Sequence, residues 1–429
     1  MQDIELAYGT TGLRLTLPEQ AEATVIRKQP LPVPGDAGSV IEQALANPIE
    51  AEALEMAARN AASACILICD ITRPVPNHLF LRPVIERLMS AGVPGKAITV
   101  LVATGLHRPN LGDELRELIG DAWVLENVNV ANHDARDDAA HVSLGETRAR
   151  KVPVRLDRRF VEADLKIATG LVEPHFMAGY SGGRKVIAPG VAHHTTIRTF
   201  HSARFMEDPK ASSCNLAGNP LHEEQLEIVA MLDDGVLALN TVIDEARNLI
   251  HASFGDVVAS HLTTVAFVRD SIEVKVPRRF NTVVTTAAGY PLDKTYYQTV
   301  KGMVTPLDIL EPGGTLIIAS DCSEGVGSAE FRAAQQRLIE LGPDAFLETL
   351  SGKRLADVDE WQTEMQLKPM RVGTIALYSQ GLSDEDHALT GVDRVRDLSG
   401  AIRDSIERHA DPAIAVVPEG PYVVPFFAA

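Results

Sequence analysis

The sequence predicts an α/β protein of two α/β domains with an active-site cleft between them. Short apolar runs recur along the chain, each ending at a loop rich in glycine, proline or polar groups, and helical spacing follows most of these loops. At 429 residues and 46.3 kDa the chain can build two separate cores. Hydrophobic residues make up 45% and aromatic residues only 5%, the balance of a core filled mainly by Ala, Val, Leu and Ile.

Residues 13–17 have strand character, and 38–59 read as helical. Residues 64–69 form a continuous apolar run, as a strand covered on both faces should. That run stops at the loop 70–78, where Pro74 and Pro76 exclude regular structure, and a helix over 79–91 follows. A second run, 97–103, stops at Thr104-Gly-Leu-His-Arg-Pro-Asn110 before a helix starting near Leu111. A third, 163–169, enters the loop 170–190, which holds seven glycines and prolines and so excludes a long helix. A helix over 220–232 and strands over 238–242 and 264–268 complete a first domain, 1–270. The stretch 270–279 carries few core signals and marks the boundary. The second domain, 280–429, begins the cycle again with strand 281–287, loop 289–293, helix 294–302, strand 313–320 and loop 321–327. Strands over 372–378 and 413–417 follow, and the last residues are expected to pack back on the first domain.

A formal charge of -18 argues against nucleic acid as a partner, because phosphate backbones require concentrated Lys and Arg. Local anion binding stays open. The four cysteines, Cys65, Cys69, Cys214 and Cys322, lack structural-zinc spacing and read as free thiols. No stretch is apolar enough to span a membrane, and the opening residues are not those of a secretory signal. The expected location is cytoplasmic, as a monomer or homodimer.

Loops at the carboxyl ends of parallel strands converge on one crevice, which places Asp70, Arg73, His107 and His175 on one rim. His107 and His175 each follow a strand end with a glycine nearby, and His201 lies beyond the run 195–200. Imidazoles titrate near neutrality and can take and return a proton, so one on each side of a substrate serves either stereochemical sense. Surface or capping histidines are the alternative, since the chain has 13. Arg73, which lies across Thr72 from Asp70, suits a carboxylate or phosphate clamp; a local ion pair closing the turn is the alternative. Tyr297, Gln298 and Lys301 share a helical face that can bind an anion or be ordinary wet surface. Ser181-Gly-Gly-Arg-Lys185 matches neither a P-loop nor a dinucleotide fingerprint. His193-His194 and His133-Asp134 read as solvent-facing pairs rather than a metal site.

Four segments carry a resemblance: Asp-Ile-Thr-Arg-Pro-Val-Pro at 70–76, Thr-Gly-Leu-His-Arg-Pro at 104–109, Glu-Pro-His-Phe-Met-Ala-Gly-Tyr-Ser-Gly-Gly-Arg-Lys at 173–185 and Tyr-Gln-Thr-Val-Lys-Gly-Met at 297–303. In this order, across both domains, they resemble the nickel-dependent lactate racemase family. The resemblance implies a nickel-pincer nucleotide, pyridinium-3-thioamide-5-thiocarboxylic acid mononucleotide, which carries nickel between two sulfurs and a ring carbon. It implies cofactor attachment on Lys185, His201 as the protein ligand to nickel, and His107 and His175 as the acid/base pair. Asp70, Thr72 and Arg73 then belong to the cofactor surroundings, and Arg73, Tyr297, Gln298 and Lys301 hold the substrate. Cofactor maturation proteins are implied as partners.

The activity that follows is a racemase or epimerase inverting C2 of a 2-hydroxy carboxylic acid by proton-coupled hydride transfer. One histidine removes the hydroxyl proton while the α-hydride leaves, and the planar 2-keto acid accepts hydride and proton on its other face. A cationic clamp keeps the carboxylate fixed meanwhile. Arg184 stands where the best-known lactate racemases have proline. An added cation there extends the expected substrates from lactate to malate, longer hydroxy acids and aldonates. A 2-hydroxy acid dehydratase or oxidoreductase, and a noncatalytic cofactor-binding protein, are the competing functions.

Overall fold

The computed structural model describes residues 2–233 and 235–428. The fold is α/β, and the chain divides into two compact units. The first comprises Pro30–Phe200 and Asn215–Arg269; the second comprises Met1–Gln29, His201–Cys214 and Asp270–Ala429.

In the first unit, six strands lie in the order Leu249–Asp256, Leu237–Ile243, Leu165–Leu171, Ala64–Cys69, Ile98–Ala103 and Asn129–Asn132. All neighbours are parallel except the pair Leu237–Ile243 and Leu249–Asp256. The apolar run at 64–69 is continuous because both of its faces are covered. Ile66 and Ile68 pack with Val100, Val102 and Ile167 into the core that holds Phe80, Leu81, Val84 and Ile85 of the helix Asn77–Ser90.

In the second unit, the order is Asp393–Val395, Thr374–Tyr378, Leu310–Ala319, Phe280–Thr286, Ala413–Val417 and Glu22–Val25, parallel throughout. Val284, Ile317, Ile414 and Val416 form its core with Ile402 and Ile406 of the helix Leu398–His409.

The division into 1–270 and 280–429 therefore differs from the observed units, although both break at residue 270. Residues 1–29 lie with the C-terminal portion because Glu22–Val25 pairs with Ala413–Val417. Residues 201–214 do so because the helix Ala203–Met206 packs on the helix Glu360–Val372. The last strand, Val424–Phe427, pairs with Glu273–Val276 of its own unit.

Two local expectations are also corrected. The helix over 38–59 is two helices, Ala37–Ala46 and Leu54–Ala58, interrupted where Pro48 has no N–H to donate. The strand over 264–268 lies inside the helix Val257–Ile272. Asp256 Oδ1 accepts the Val258 and Ala259 N–H groups at 2.9 Å and caps its start. Val257, His261, Thr264, Val265 and Val268 are buried at helical spacing, so a β-branched run serves a helix face. Among the described residues no helix is long and apolar enough to cross a membrane.

Candidate active site

The site in the first unit follows from strand order. From Ala64–Cys69 the chain steps outward to Ile98–Ala103 and Asn129–Asn132, then returns on the other side with Leu165–Leu171. Loops leaving strands at such a reversal part to opposite faces and leave a crevice. Asp70, Thr72 and Arg73 leave the first of these strands, His107 the second, and Glu173, His175 and Lys185 follow the returning strand.

Asp70, 5% exposed, organises the first loop. Its Oδ1 accepts Thr72 N–H at 3.1 Å and Thr72 Oγ1–H at 2.5 Å, and its Oδ2 lies 2.6 Å from His107 Nδ1. Burial alone would raise this carboxyl. The His107 hydrogen bond and charge, with Thr72 and Arg73, outweigh burial and hold it below the usual carboxylate range. With Asp70 ionised, His107 Nδ1 is the donor and Nε2 carries the lone pair. Arg73 Nη1 pairs with Glu173 Oε1 at 2.5 Å, bridging the two loops that flank the crevice. Glu173 had been assigned no role, and its place two residues before His175 was the only signal for one.

His175 lies at the end of a short ribbon, Pro174–His175 paired with Gly179–Tyr180. It is 8% exposed, and its Nδ1 faces the backbone N–H groups of Ala178 at 3.1 Å and Met177 at 3.3 Å. Backbone N–H groups only donate, so Nδ1 accepts and the ring proton of neutral His175 sits on Nε2. The two imidazoles thus present opposite faces: His107 a lone pair, His175 an N–H.

Lys185 lies on the short helix Gly183–Ile187 and is partly buried. Burial first, then the Arg73 and Arg184 cations, push its amine down to about 7 against the opposing Cys69 and Glu173. The helix reaches this position because Gly170 lacks a side chain. A Cβ there would lie 2.9 Å from Gly182 C and Gly183 N. Gly170→Ala should displace the turn and destabilise the protein by ~1–3 kcal/mol, which chemical denaturation checks.

Arg184 does not reach a substrate. It is fully buried, with its donors on His222, His261 and the Tyr180 and Ala178 carbonyls. The expected solvent-facing histidine pairs are corrected too. His133 and His193 are buried, in a file of tilted and edge-on rings that also contains His141 and His194. Asp137 O accepts His141 Nδ1–H at 2.6 Å, so His141 Nε2 accepts from His133 Nε2–H at 3.0 Å. Burial holds His133 down to about 3 and His193 to about 4.

The second unit reverses its strand order between Phe280–Thr286 and Ala413–Val417. The helix Tyr296–Val304, which carries Tyr297, Gln298 and Lys301, follows the first of these strands. Tyr297 sets its ring edge-on to Phe331, with 5.1 Å between centroids, and its carbonyl accepts Gln362 Nε2–H at 2.6 Å. Gln298 Oε1 is buried without a protein donor. The His201 ring packs against Trp361, with 5.0 Å between centroids; no feature of the sequence had singled out Trp361.

In the first unit the donors fit a pincer nucleotide: Lys185 offers an amine close to its neutral form and Arg73 a cation for an anionic group. Among the described residues no group of three or more His, Cys, Asp or Glu could hold a metal ion.

Known proteins resemble this chain along most of its length. The lactate racemase N-terminal domain matches residues 8–214 and the lactate racemase C-terminal domain residues 276–424. The lactate racemase of Lactiplantibacillus plantarum is 31% identical over 386 residues, 89% of each chain. That of Thermoanaerobacterium thermosaccharolyticum is 29% identical over 438 residues, 99% of each. The structure of the lactate racemase apoprotein from Thermoanaerobacterium thermosaccharolyticum matches with a TM-score of 0.91 at 27% identity, over 99% of this chain and 100% of that one. A Thermotoga maritima protein, at 15% identity and a TM-score of 0.61 over 87% of this chain and 97% of that one, shares the fold. With both domain models matched and identity extending along its length, the chain belongs to the nickel-dependent lactate racemase family and is an isomerase of the racemase and epimerase class.

Proposed function

We propose that this enzyme interconverts the enantiomers of lactate, with a nickel-pincer nucleotide attached at Lys185 and nickel bound by His201. The observation that carries the proposal is the pair of imidazoles set in opposite states at one strand reversal. His107 Nε2 takes the substrate hydroxyl proton while Asp70 balances the imidazolium. His175 Nε2–H is a hydrogen-bond donor at rest. To take a proton there, its own proton must move to Nδ1 and the Met177 and Ala178 contacts must open. The two directions therefore require different proton movements.

Arg73, fixed on one side by Glu173, holds the substrate carboxylate, and Tyr297, Gln298 and Lys301 complete its binding. When bound, the pincer group supplies a hydride acceptor that later returns the hydride. Lactate is favoured over a dicarboxylate because the added cation, Arg184, is buried among imidazoles and carbonyls. The two lactate racemases similar along most of their length point the same way.

The test is chiral product analysis of single enantiomers of lactate, malate, 2-hydroxyglutarate and gluconate, using protein coexpressed with the maturation proteins and nickel. The expected result is conversion of either lactate enantiomer to a mixture of both, with protium retained at C2 in deuterated water. Inversion of another acid alone would overturn the choice of lactate. A non-epimeric product would overturn the proposed reaction and move the site to a lyase or oxidoreductase.

A further inference from the structure

We infer that Arg184 is a positioning residue for Lys185: a buried positive charge without a carboxylate partner, clamped by His222 and His261, that keeps the neighbouring amine ready to attack. The inference rests on Lys185 being the attachment point proposed above.

The geometry is unusual for an arginine. Arg184 is 0% exposed. Nε–H donates to His222 Nδ1 at 2.7 Å, and Nη1 lies 2.8 Å from His261 Nε2. Nη2–H reaches the carbonyls of Tyr180 at 3.0 Å and Ala178 at 3.4 Å. Buried arginines ordinarily pair with a carboxylate, which cancels their field at a distance. Among the described residues Arg184 has none. Its partners solvate the charge without neutralising it.

Both histidines are held neutral, first by burial and then by the guanidinium: His222 goes down to about 3 and His261 well below its ordinary value. Arginine only donates, so His222 Nδ1 accepts and its ring proton sits on Nε2. His261 Nε2 also lies 2.8 Å from the Ser181 carbonyl, and Gly182 lets that ring close on the turn, where a Cβ would lie 2.5 Å from His261 Cδ2. Burial lowers Arg184 itself, to about 9, which leaves it a cation at neutral pH.

Burial does most to disfavour the ammonium form of Lys185; Arg73 and then Arg184 add to it, while Cys69 and Glu173 favour the ammonium. Glu173 pairs with Arg73 at 2.5 Å and offsets that cation. The charge of Arg184 has no such offset. Attachment needs the nitrogen lone pair: the neutral amine and a thiocarboxylic acid form one C–N bond, nitrogen loses one hydrogen, carbon loses hydroxyl, and one water leaves. An ammonium cannot begin that condensation. Arg184 thus adds an uncancelled charge to the burial that keeps the lysine neutral, while remaining away from substrate.

Competitive acetylation of the apoprotein with acetic anhydride from about pH 5 to 10, read by peptide mass spectrometry, tests the inference, with exposed Lys96 as internal reference. The expected midpoint for Lys185 is near neutrality. Arg184→Met, which keeps bulk but removes charge, should raise it by about one unit or more, while Arg184→Lys should leave it nearly in place. Arg184→Gln carries the same expectation as Arg184→Met and can still donate to His222. An unmoved midpoint in either folded neutral variant overturns the inference, as does a wild-type midpoint as high as that of Lys96. Intact-protein mass after coexpression with the maturation proteins separates this inference from the cofactor assignment. A midpoint governed by Arg184 with no adduct on Lys185 refutes the attachment alone. An adduct with an unmoved midpoint refutes the role of Arg184 alone.

Discussion

His175→Ala protein loaded with nickel and cofactor should lose lactate interconversion by about 10²–10⁴-fold, with the adduct mass on Lys185 unchanged. The imidazole is 8% exposed and sits at the end of a ribbon of two residues per strand, so it has little freedom to reposition. Its removal leaves the Met177 and Ala178 N–H groups without their acceptor, a local defect that water can fill. Lys185 lies ten residues further, on a helix whose position depends on Gly170 and on the Asn240 side chain accepting Gly183 N–H at 2.9 Å. Attachment should therefore survive the substitution. His175→Gln restores an acceptor to the ribbon without a titrating group and should be as inactive, which separates proton chemistry from packing. Chiral chromatography from each enantiomer measures the loss, and intact mass the loading. Full activity in His175→Ala would sink the two-histidine scheme; loss of the adduct would make His175 a structural residue.

Much of this arrangement was legible in the sequence because buried parallel strands declare themselves locally. The apolar runs ending at Asp70, at the His107 loop and at the His175 loop are strands for the reason they are apolar: both faces are covered. Once parallel strands are read, loops at one end follow from topology. Features set by distant partners were not legible. Glu22–Val25 joins the second sheet through Ala413–Val417, nearly the whole chain away, and no local pattern announces that pairing. Thr264–Val268 looks like a strand by residue type, and only Asp256 as a cap and burial at helical spacing make it a helix. Arg184 appeared to be an extra cation for substrate because its charge is visible in the sequence, whereas His222 and His261, which enclose it, arrive from two later helices. Sequence shows which groups can do chemistry; their protonation is decided by contacts.

Asp70→Asn should lower kcat by roughly 10²–10⁴-fold with a smaller change in KM, because it alters the proton on a neighbouring ring while preserving the fold of the loop. An asparagine at 70 keeps an oxygen to accept from Thr72 N–H and Oγ1–H. The atom facing His107 Nδ1 becomes an NH₂ donor where a carboxylate stood at 2.6 Å. Nδ1 must then accept, the ring proton moves to Nε2, and the lone pair that takes the substrate proton is gone. The imidazolium formed on proton transfer also loses its counter-charge. His107→Gln should be as slow as Asp70→Asn, and the double variant little slower than either, since both remove one unit. The pH dependence has a definite sign. Asp70 is held below its ordinary range, so its contribution to stability is present above the carboxyl's unfolded value and fades only as pH falls through the lower folded one. Asp70 should thus stay ionised throughout the neutral range, its contribution fading only in acid. An Asp70→Asn enzyme with more than half the wild-type kcat would show that His107 reaches its basic tautomer unaided. Additive losses in the double variant would show that Asp70 acts on Thr72 and Arg73 rather than through the histidine.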